Sequence, residues 1–277
     1  MSFILRIHHR GVAQLARAPG LGPGGREFKS RRPDQIYPLY RMKTYRYYDV
    51  LLGAFVAVLL ISNIASSAKI VDWGVSIWVL PLAFDAGTLL FPLSYIFADV
   101  LTEVYGFARA RRVIWVGFAA SLLMSITLGI VGWMPGEAMW LDYAGDDAFA
   151  AILGGISSGG IIIASLSAYF VGEFANSVVL AKMKVIQKGK QLWIRTIGST
   201  LIGQGLDTVA FITIACAFGV FPWEIAVSLI VSNYIFKVAI EVLFTPVTYG
   251  IVSFLKKSEQ EDHYDTHTSF NPLSIRM

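Results

Sequence analysis

The sequence predicts an all-α integral membrane protein, a six-transmembrane-helix bundle with N and C termini cytoplasmic. Three observations predict it: six long apolar segments follow residue 48, positive charge is confined to the ends and alternate loops, and the few ionisable residues inside the segments fall at helical spacings. Hydrophobic residues make up 55% of the chain and charged ones only 15%, with a mean hydropathy of +0.60, which exceeds what a soluble domain of this length needs. Apolar stretches of about 20 residues match a hydrocarbon core of roughly 30 Å, and helices cross it with every backbone group satisfied internally.

The six segments run over 48–66, 78–97, 113–132, 152–180, 194–218 and 225–255. The fourth and sixth exceed one perpendicular crossing, so they must tilt, break or extend past the bilayer. Orientation follows from Lys and Arg, which are retained on the cytoplasmic side during insertion. Lys43 and Arg46 precede the first segment. Arg109, Arg111 and Arg112 follow the second, Lys182, Lys184, Lys188, Lys190 and Arg195 lie between the fourth and fifth, and Lys256 and Lys257 close the sixth. The intervening loops carry Lys69 beside Asp72, or the acidic set Glu137, Asp142, Asp146 and Asp147. Tryptophans at segment ends, such as Trp133, Trp193 and Trp223, fit interfacial anchors.

Residues 1–41 read differently. They are rich in Arg, Gly and Pro, lack apolar periodicity and are expected to be disordered. GVAQLARA and REFKSR resemble translations of the D-arm and T-arm of a bacterial tRNA gene in the correct order, so the segment reads as a spurious extension with translation starting at Met42. A transit peptide or a genuine basic arm are the alternatives. The segment holds eight basic and two acidic residues, so a chain of net charge +4 has −2 from Met42 onward, and the basic balance is no evidence for nucleic-acid binding. Domain organisation is otherwise simple: a six-helix transmembrane domain over 42–257 and a polar cytoplasmic tail over 258–277. Cys216, the single cysteine, cannot form an intrachain disulfide and reads as a buried apolar residue.

Charge in hydrocarbon costs several kcal/mol unless it is paired or faces water, so intramembrane ionisable residues mark a site or pathway. Asp207 stands twelve residues beyond Arg195, about 18 Å along a helix at 1.5 Å per residue and close to the midplane. Lys237 lies similarly deep in the sixth segment. Gln204 is one turn from Asp207, and Asn233 and Glu241 each stand four residues from Lys237, so each helix presents a polar stripe. Asp99 and Glu103 share one face of the second segment, and Glu173 and Asn176 one face of the fourth. Structural alternatives remain open: Asp207 with Lys237 as a mutual ion pair, Lys237 neutralised by Glu241, and Asp99 or Glu103 paired with Arg109, Arg111 or Arg112.

These residues carry a family resemblance. ADVLTEVYG followed by ARR over 98–112, Glu173 and Asn176 in YFVGEFANS, Gln204 and Asp207 in GSTLIGQGLDT, and Tyr234, Lys237 and Glu241 in NYIFKVAIEVLFTPVTYG resemble the queuosine precursor transporter family, also called the vitamin uptake transporter family. The likeness spans roughly residues 48–254. It implies a multi-pass importer in the bacterial inner membrane for deazaguanine bases, the cyano and aminomethyl precursors salvaged for queuosine in tRNA. The substrate-binding set would be Asp99, Glu103, Glu173, Asn176, Gln204, Asp207, Tyr234, Lys237 and Glu241. The chemistry suits such a base, whose donors match carboxylates and whose carbonyl matches Lys, Gln or Asn. Tyr95, Phe97, Tyr169, Phe211 and Tyr234 are candidates to hold its face.

Partners are then a small-molecule base and the lipid bilayer, with no nucleic acid; a homo-oligomer and partner ATPases are both compatible with the sequence. No GxxxxGK[ST] phosphate cradle occurs, so the chain is not expected to hydrolyse ATP itself. The alternative within transport is the substrate-binding membrane subunit of an energy-coupled vitamin importer. From a different class, an intramembrane enzyme would use Asp99 and Glu103 to hold a metal. All four histidines, His8, His9, His263 and His267, lie in the tails, so neither an HExxH site nor a Ser-His triad forms within the bundle. The chain is accordingly read as a non-enzyme that needs no cofactor and no metal.

Overall fold

Without water to bond peptide groups inside a bilayer, a chain of this composition satisfies them in helices, and the described residues are mainly helical. The computed structural model describes residues 44–77, 80–157 and 159–274; the expectations for residues 1–41 lie outside them. Five helical stretches are long and apolar enough to cross a membrane: Tyr48–Ala68, Phe107–Trp133, Gly145–Ile186, Leu192–Ala217 and Trp223–Glu259. The first, α1 (Tyr48–Ala68), coincides with the first predicted segment.

The crossing expected over 78–97 is corrected. The chain instead forms an antiparallel hairpin of β1 (Ile70–Ile77) and β2 (Leu80–Asp85), with Ile70 opposite Asp85 and Ile77 opposite Leu80. A short 3₁₀ turn, Ala86–Leu89, leads to α2 (Phe91–Tyr105), whose 15 residues reach about 22 Å at 1.5 Å per residue, short of a full hydrocarbon core. Pro92 in its first turn lacks only an N–H that has no intrahelical partner there. The apolar character of 78–97 was real, but a continuous apolar run does not by periodicity distinguish strand from helix.

A single residue joins α2 to α3 (Phe107–Trp133): Gly106, at φ 86° and ψ 164°, a conformation that side chains other than glycine rarely adopt. A Cβ there would also fall 2.2 Å from the His263 ring. After α3 come α4 (Ala138–Tyr143), capped by the Glu137 carboxylate accepting from the Met139 and Trp140 N–H groups, and α5 (Gly145–Ser157). The long fourth segment lies within the helical stretch Gly145–Ile186, described as α5 before residue 158 and α6 (Gly159–Ile186) after it. Then follow α7 (Leu192–Ala217) and α8 (Ala226–Glu259), which contains Pro246. Trp133, Trp193 and Trp223 are exposed, as anchors at an interface would be.

Two glycines set the closest helix approach. A Cβ on Gly203 of α7 would lie 2.7 Å from Asn176 Cβ and 3.0 Å from the Gly172 carbonyl oxygen, and a Cβ on Gly172 of α6 would lie 2.7 Å from Asp207 Cβ and 3.1 Å from the Gly203 carbonyl oxygen. Small residues at such crossings let backbones touch and bring their neighbours' polar side chains together. Gly203→Ala is expected to lower the thermal midpoint in detergent by several degrees, because the opposing atoms are backbone and Cβ that cannot swing away. Gly53→Ala, where nothing lies within 4 Å, should leave it unchanged or slightly raised.

The tail after α8 folds back onto the bundle end that holds Tyr45. The His263 N–H donates to the Val104 carbonyl, and the Asp265 carboxylate accepts from the Phe107 N–H, capping α3 where Gly106 has no side chain to do so. Arg111 donates to the Ser269 and Asn271 carbonyls, and the Trp115 indole to that of Pro272. At the same end Glu259 accepts from the Arg46 and Tyr47 N–H groups at the start of α1 and from the Tyr105 hydroxyl. A carboxylate there meets the positive end of the helix dipole.

Candidate functional site

Two polar centres occupy the bundle, one toward each end. The first is built on Glu103, which α2 carries into the interior. Its carboxylate receives a two-pronged pair from Arg195, Nε to Oε2 and Nη2 to Oε1 at 2.8 Å each, and a bond from Lys256 Nζ to Oε1 at 2.5 Å. Lys184 Nζ stands 3.6 Å from the same oxygen and donates to the Glu103 carbonyl, to the Asp262 carboxylate at 2.6 Å and to the His263 carbonyl at 2.6 Å. Glu103, Lys184 and Arg195 are buried, so the pairing is both charge-assisted and shielded.

Four elements, α2, α6, α7 and α8, and the tail are thus clamped at one end. Burial works against the Asp262 charge, but the bonds from Lys184 and Lys256 outweigh it and hold its carboxyl below the usual carboxylate range. Tyr45 nearby is pushed above the ordinary phenol range by burial and by its bond to Glu261.

The second centre is a cavity of about 410 Å³ at the opposite end of the bundle, a volume suited to a small ligand. Its wall comes from the last turns of α1 (Asn63, Ser66, Ser67), the start of α2 (Phe91, Ser94, Tyr95), the first half of α6, the second half of α7 and the first half of α8. Asp207 Oδ2 and Lys237 Nζ pair at 2.6 Å in this wall, both side chains slightly open to the cavity. Lys237 also lies 5.6 Å from the centre of the Phe91 ring, a cation–π contact. Glu173 completes the ionisable lining. Tyr95, Tyr169, Phe211 and Phe221 supply aromatic surface, with the Tyr169 hydroxyl held by the Ile114 carbonyl at 2.9 Å.

Between the two centres lies a buried polar layer. Asp99 Oδ1 accepts from Asn176 Nδ2 at 2.7 Å, while Asp99 Oδ2, Asn176 Oδ1 and Gln204 Oε1 are buried without a hydrogen-bond partner, and the Glu241 carboxyl stands beside the Thr200 hydroxyl. Asp99, Glu173 and Glu241 stand close enough to feel one another's charge. Such unsatisfied atoms are costly and call for an explanation in terms of a ligand, a water or a rearrangement.

Of the nine residues singled out in the sequence, the structure brings Glu173, Asp207 and Lys237 to the cavity wall. Asp99, Asn176, Gln204 and Glu241 lie in the buried layer. Glu103 belongs to the ionic clamp, and the Tyr234 hydroxyl bonds the Leu201 carbonyl at 3.1 Å, tying α8 to α7. Among the aromatic candidates Tyr95, Tyr169 and Phe211 line the cavity, whereas Phe97 packs on the main apolar core.

Two local pairings are not those observed. Lys237 pairs with Asp207 and not with Glu241 on its own helix, and Glu103 pairs with Arg195, Lys184 and Lys256 and not with the three arginines beyond it. Arg109 instead donates to the Tyr105 carbonyl and lies over the Tyr45 ring, and Arg111 holds the tail. Reasoning from the sequence missed Lys184, Arg195, Lys256 and Asp262 as partners of this clamp, and the serines of α1 and α2 in the cavity wall. Serine in an apolar helix gives no signal of its own.

The chain resembles curated proteins of several bacteria. It is 26% identical over 180 residues, 65% of this chain and 76% of the relative, to a "Probable queuosine precursor transporter" of Bacillus subtilis. It is 28% identical over 197 residues, 68% of this chain and 80% of the relative, to the "Queuosine precursor transporter" of Escherichia coli. A "Probable queuosine precursor transporter" of Haemophilus influenzae is 26% identical over 168 residues, 60% of this chain and 67% of the relative. No solved structure matches the chain. The family described as "Putative vitamin uptake transporter" matches residues 85–251, a stretch that contains all nine polar residues singled out above, the clamp's Arg195 and most of the cavity wall, and the chain belongs to that family.

Proposed function

We propose that the chain imports queuosine precursors, 7-deazaguanine bases bearing a cyano or aminomethyl group, across the bacterial inner membrane. The names of the Bacillus, Escherichia and Haemophilus relatives support the substrate class. The observation that carries the reading is the Asp207–Lys237 pair in the cavity wall, which presents an acceptor and a donor 2.6 Å apart. The guanine-like edge of such a base offers the complement, two N–H donors beside a carbonyl acceptor. Tyr95, Tyr169 and Phe211 supply rings for its faces.

In this reading the bundle makes six crossings, α2 being the short one, with both termini in the cytoplasm. The positive residues cluster at the clamp end, so the clamp faces inward and the cavity faces outward. Import then requires the clamp to open while the cavity closes, and the buried layer of Asp99, Asn176, Gln204 and Glu241 is the passage between them, its bare oxygens partnered by the base in transit. Energy for the cycle comes from a gradient or from consumption of the base inside the cell.

The test is uptake by cells that lack both base synthesis and their own transporter, scored by queuosine in tRNA. Expression of the chain is expected to restore queuosine at low external base. Protein present in the membrane without restoration would reject the proposal, and restoration only with added ATPase subunits would identify it as the membrane subunit of a larger importer.

A further inference from the structure

Among the described residues, Glu173 is the one carboxyl group of the cavity wall without a partner of opposite charge. It is 1% exposed, its Oε2 has no hydrogen-bond partner, and it lines the cavity. The carboxyl groups near it are Asp207, Asp99 and Glu241, all of its own sign. Lys237, the cation in the wall, is engaged 2.6 Å away by Asp207 and lies against Phe91. The other buried cations described lie at the clamp end, Lys184 and Arg195 on Glu103 and Arg111 on the tail carbonyls.

The two halves of the wall therefore ask for different chemistry. The Asp207–Lys237 pair offers donor and acceptor together, whereas Glu173 is a buried carboxyl with no cation beside it, the setting in which a charge is costly. A cation placed against Glu173 supplies the counter-charge that the wall lacks and forms a charge-assisted bond of roughly twice the usual strength. A nitrile supplies none, and its nitrogen only accepts.

We infer that Glu173 receives the positively charged arm of the imported base, so that this transporter selects the aminomethyl precursor over the cyano one. This rests on the importer reading above. It assigns Glu173 as a residue that sets specificity, while Asp207 and Lys237 hold the edge common to both bases.

The experiment measures uptake of labelled aminomethyl base against three unlabelled competitors: itself, the cyano base and the hydroxymethyl base, which matches the amine in size but carries no charge. In the native chain both neutral bases are expected to compete at least tenfold more weakly, and Glu173→Gln is expected to cut the preference for the amine roughly tenfold, the difference between a charged and a neutral partner. Glu173→Asp, which keeps the charge, should retain most of the preference. Equal competition by the hydroxymethyl base in the native chain would overturn the inference without any variant, as would an unaltered preference in Glu173→Gln. In either case import itself stands. If no deazaguanine enters through the native chain, the importer reading fails and not the assignment of Glu173 alone.

Discussion

Glu103→Ala is expected to lower stability in detergent by about 3–5 kcal/mol, the usual cost of removing one partner from a buried ionic group. The substitution takes away the carboxylate that three cations share: Arg195, held at two points 2.8 Å long, Lys256 at 2.5 Å and Lys184 at 3.6 Å. Lys184 retains Asp262, and Arg195 retains the Lys190 and Gly189 carbonyls, but the mutual repulsion of the cations is no longer offset. Arg109→Ala is the control. It removes a charge from the same end that bonds one carbonyl and lies over one ring, and it should cost no more than about 1 kcal/mol. Thermal unfolding of the purified protein and its yield in membranes measure both. A midpoint for Glu103→Ala no lower than that of Arg109→Ala would show that the clamp contributes little.

Asp207→Asn and Lys237→Met are each expected to reduce uptake more than tenfold, and the double variant is expected not to recover it. Each single change leaves one charge without its partner deep in the bundle, at a cost of roughly 2.5–3.5 kcal/mol by insertion scales, so loss of folding and loss of substrate contacts are confounded in the singles. The double variant separates them. Neutral residues remove the stranded charge and should restore membrane yield, yet the amide no longer accepts from two N–H groups through two oxygens and the thioether cannot donate to the carbonyl of a guanine-like edge. Recovery of transport in the double variant would reduce the Asp207–Lys237 pair to packing, and the proposed function would lose its central observation.

How far such a site can be read before the fold is known depends on whether its partners are local. The apolar lengths of α1, α3, α7 and α8 were legible because each exceeds about 20 residues. The region 70–97 was not, because its apolar run carries no helical or alternating period strong enough to separate hairpin from helix. Helical spacing set Asp99 beside Glu103 on α2 and Gln204 beside Asp207 on α7, but the fold places Asp99 and Gln204 in the buried layer, Glu103 in the clamp and Asp207 in the cavity wall.

Spacing could not assign the partners of Glu103, and for Lys237 it left the Asp207 pair that is observed beside a Glu241 pair that is not. The i,i+4 rule pairs Lys237 with Glu241, worth only tenths of a kcal/mol, whereas the fold offers Asp207, thirty positions away and desolvated. Glu103 and Arg195 are 92 positions apart, and what joins them is the close approach of α6 and α7 across Gly172 and Gly203 and the return of the tail over Gly106. Those glycines were visible as small residues, but only opposing backbone atoms give them meaning.

The tail's place in the clamp also dictates when the protein can finish folding during its synthesis. Glu103 leaves the ribosome long before Lys184 and Arg195, and Lys256 and Asp262 follow later still. Earlier helices must therefore wait in the bilayer with unmatched charges at one end until residues 256–262 have been made, so the clamp closes only after all four of its helices are in place.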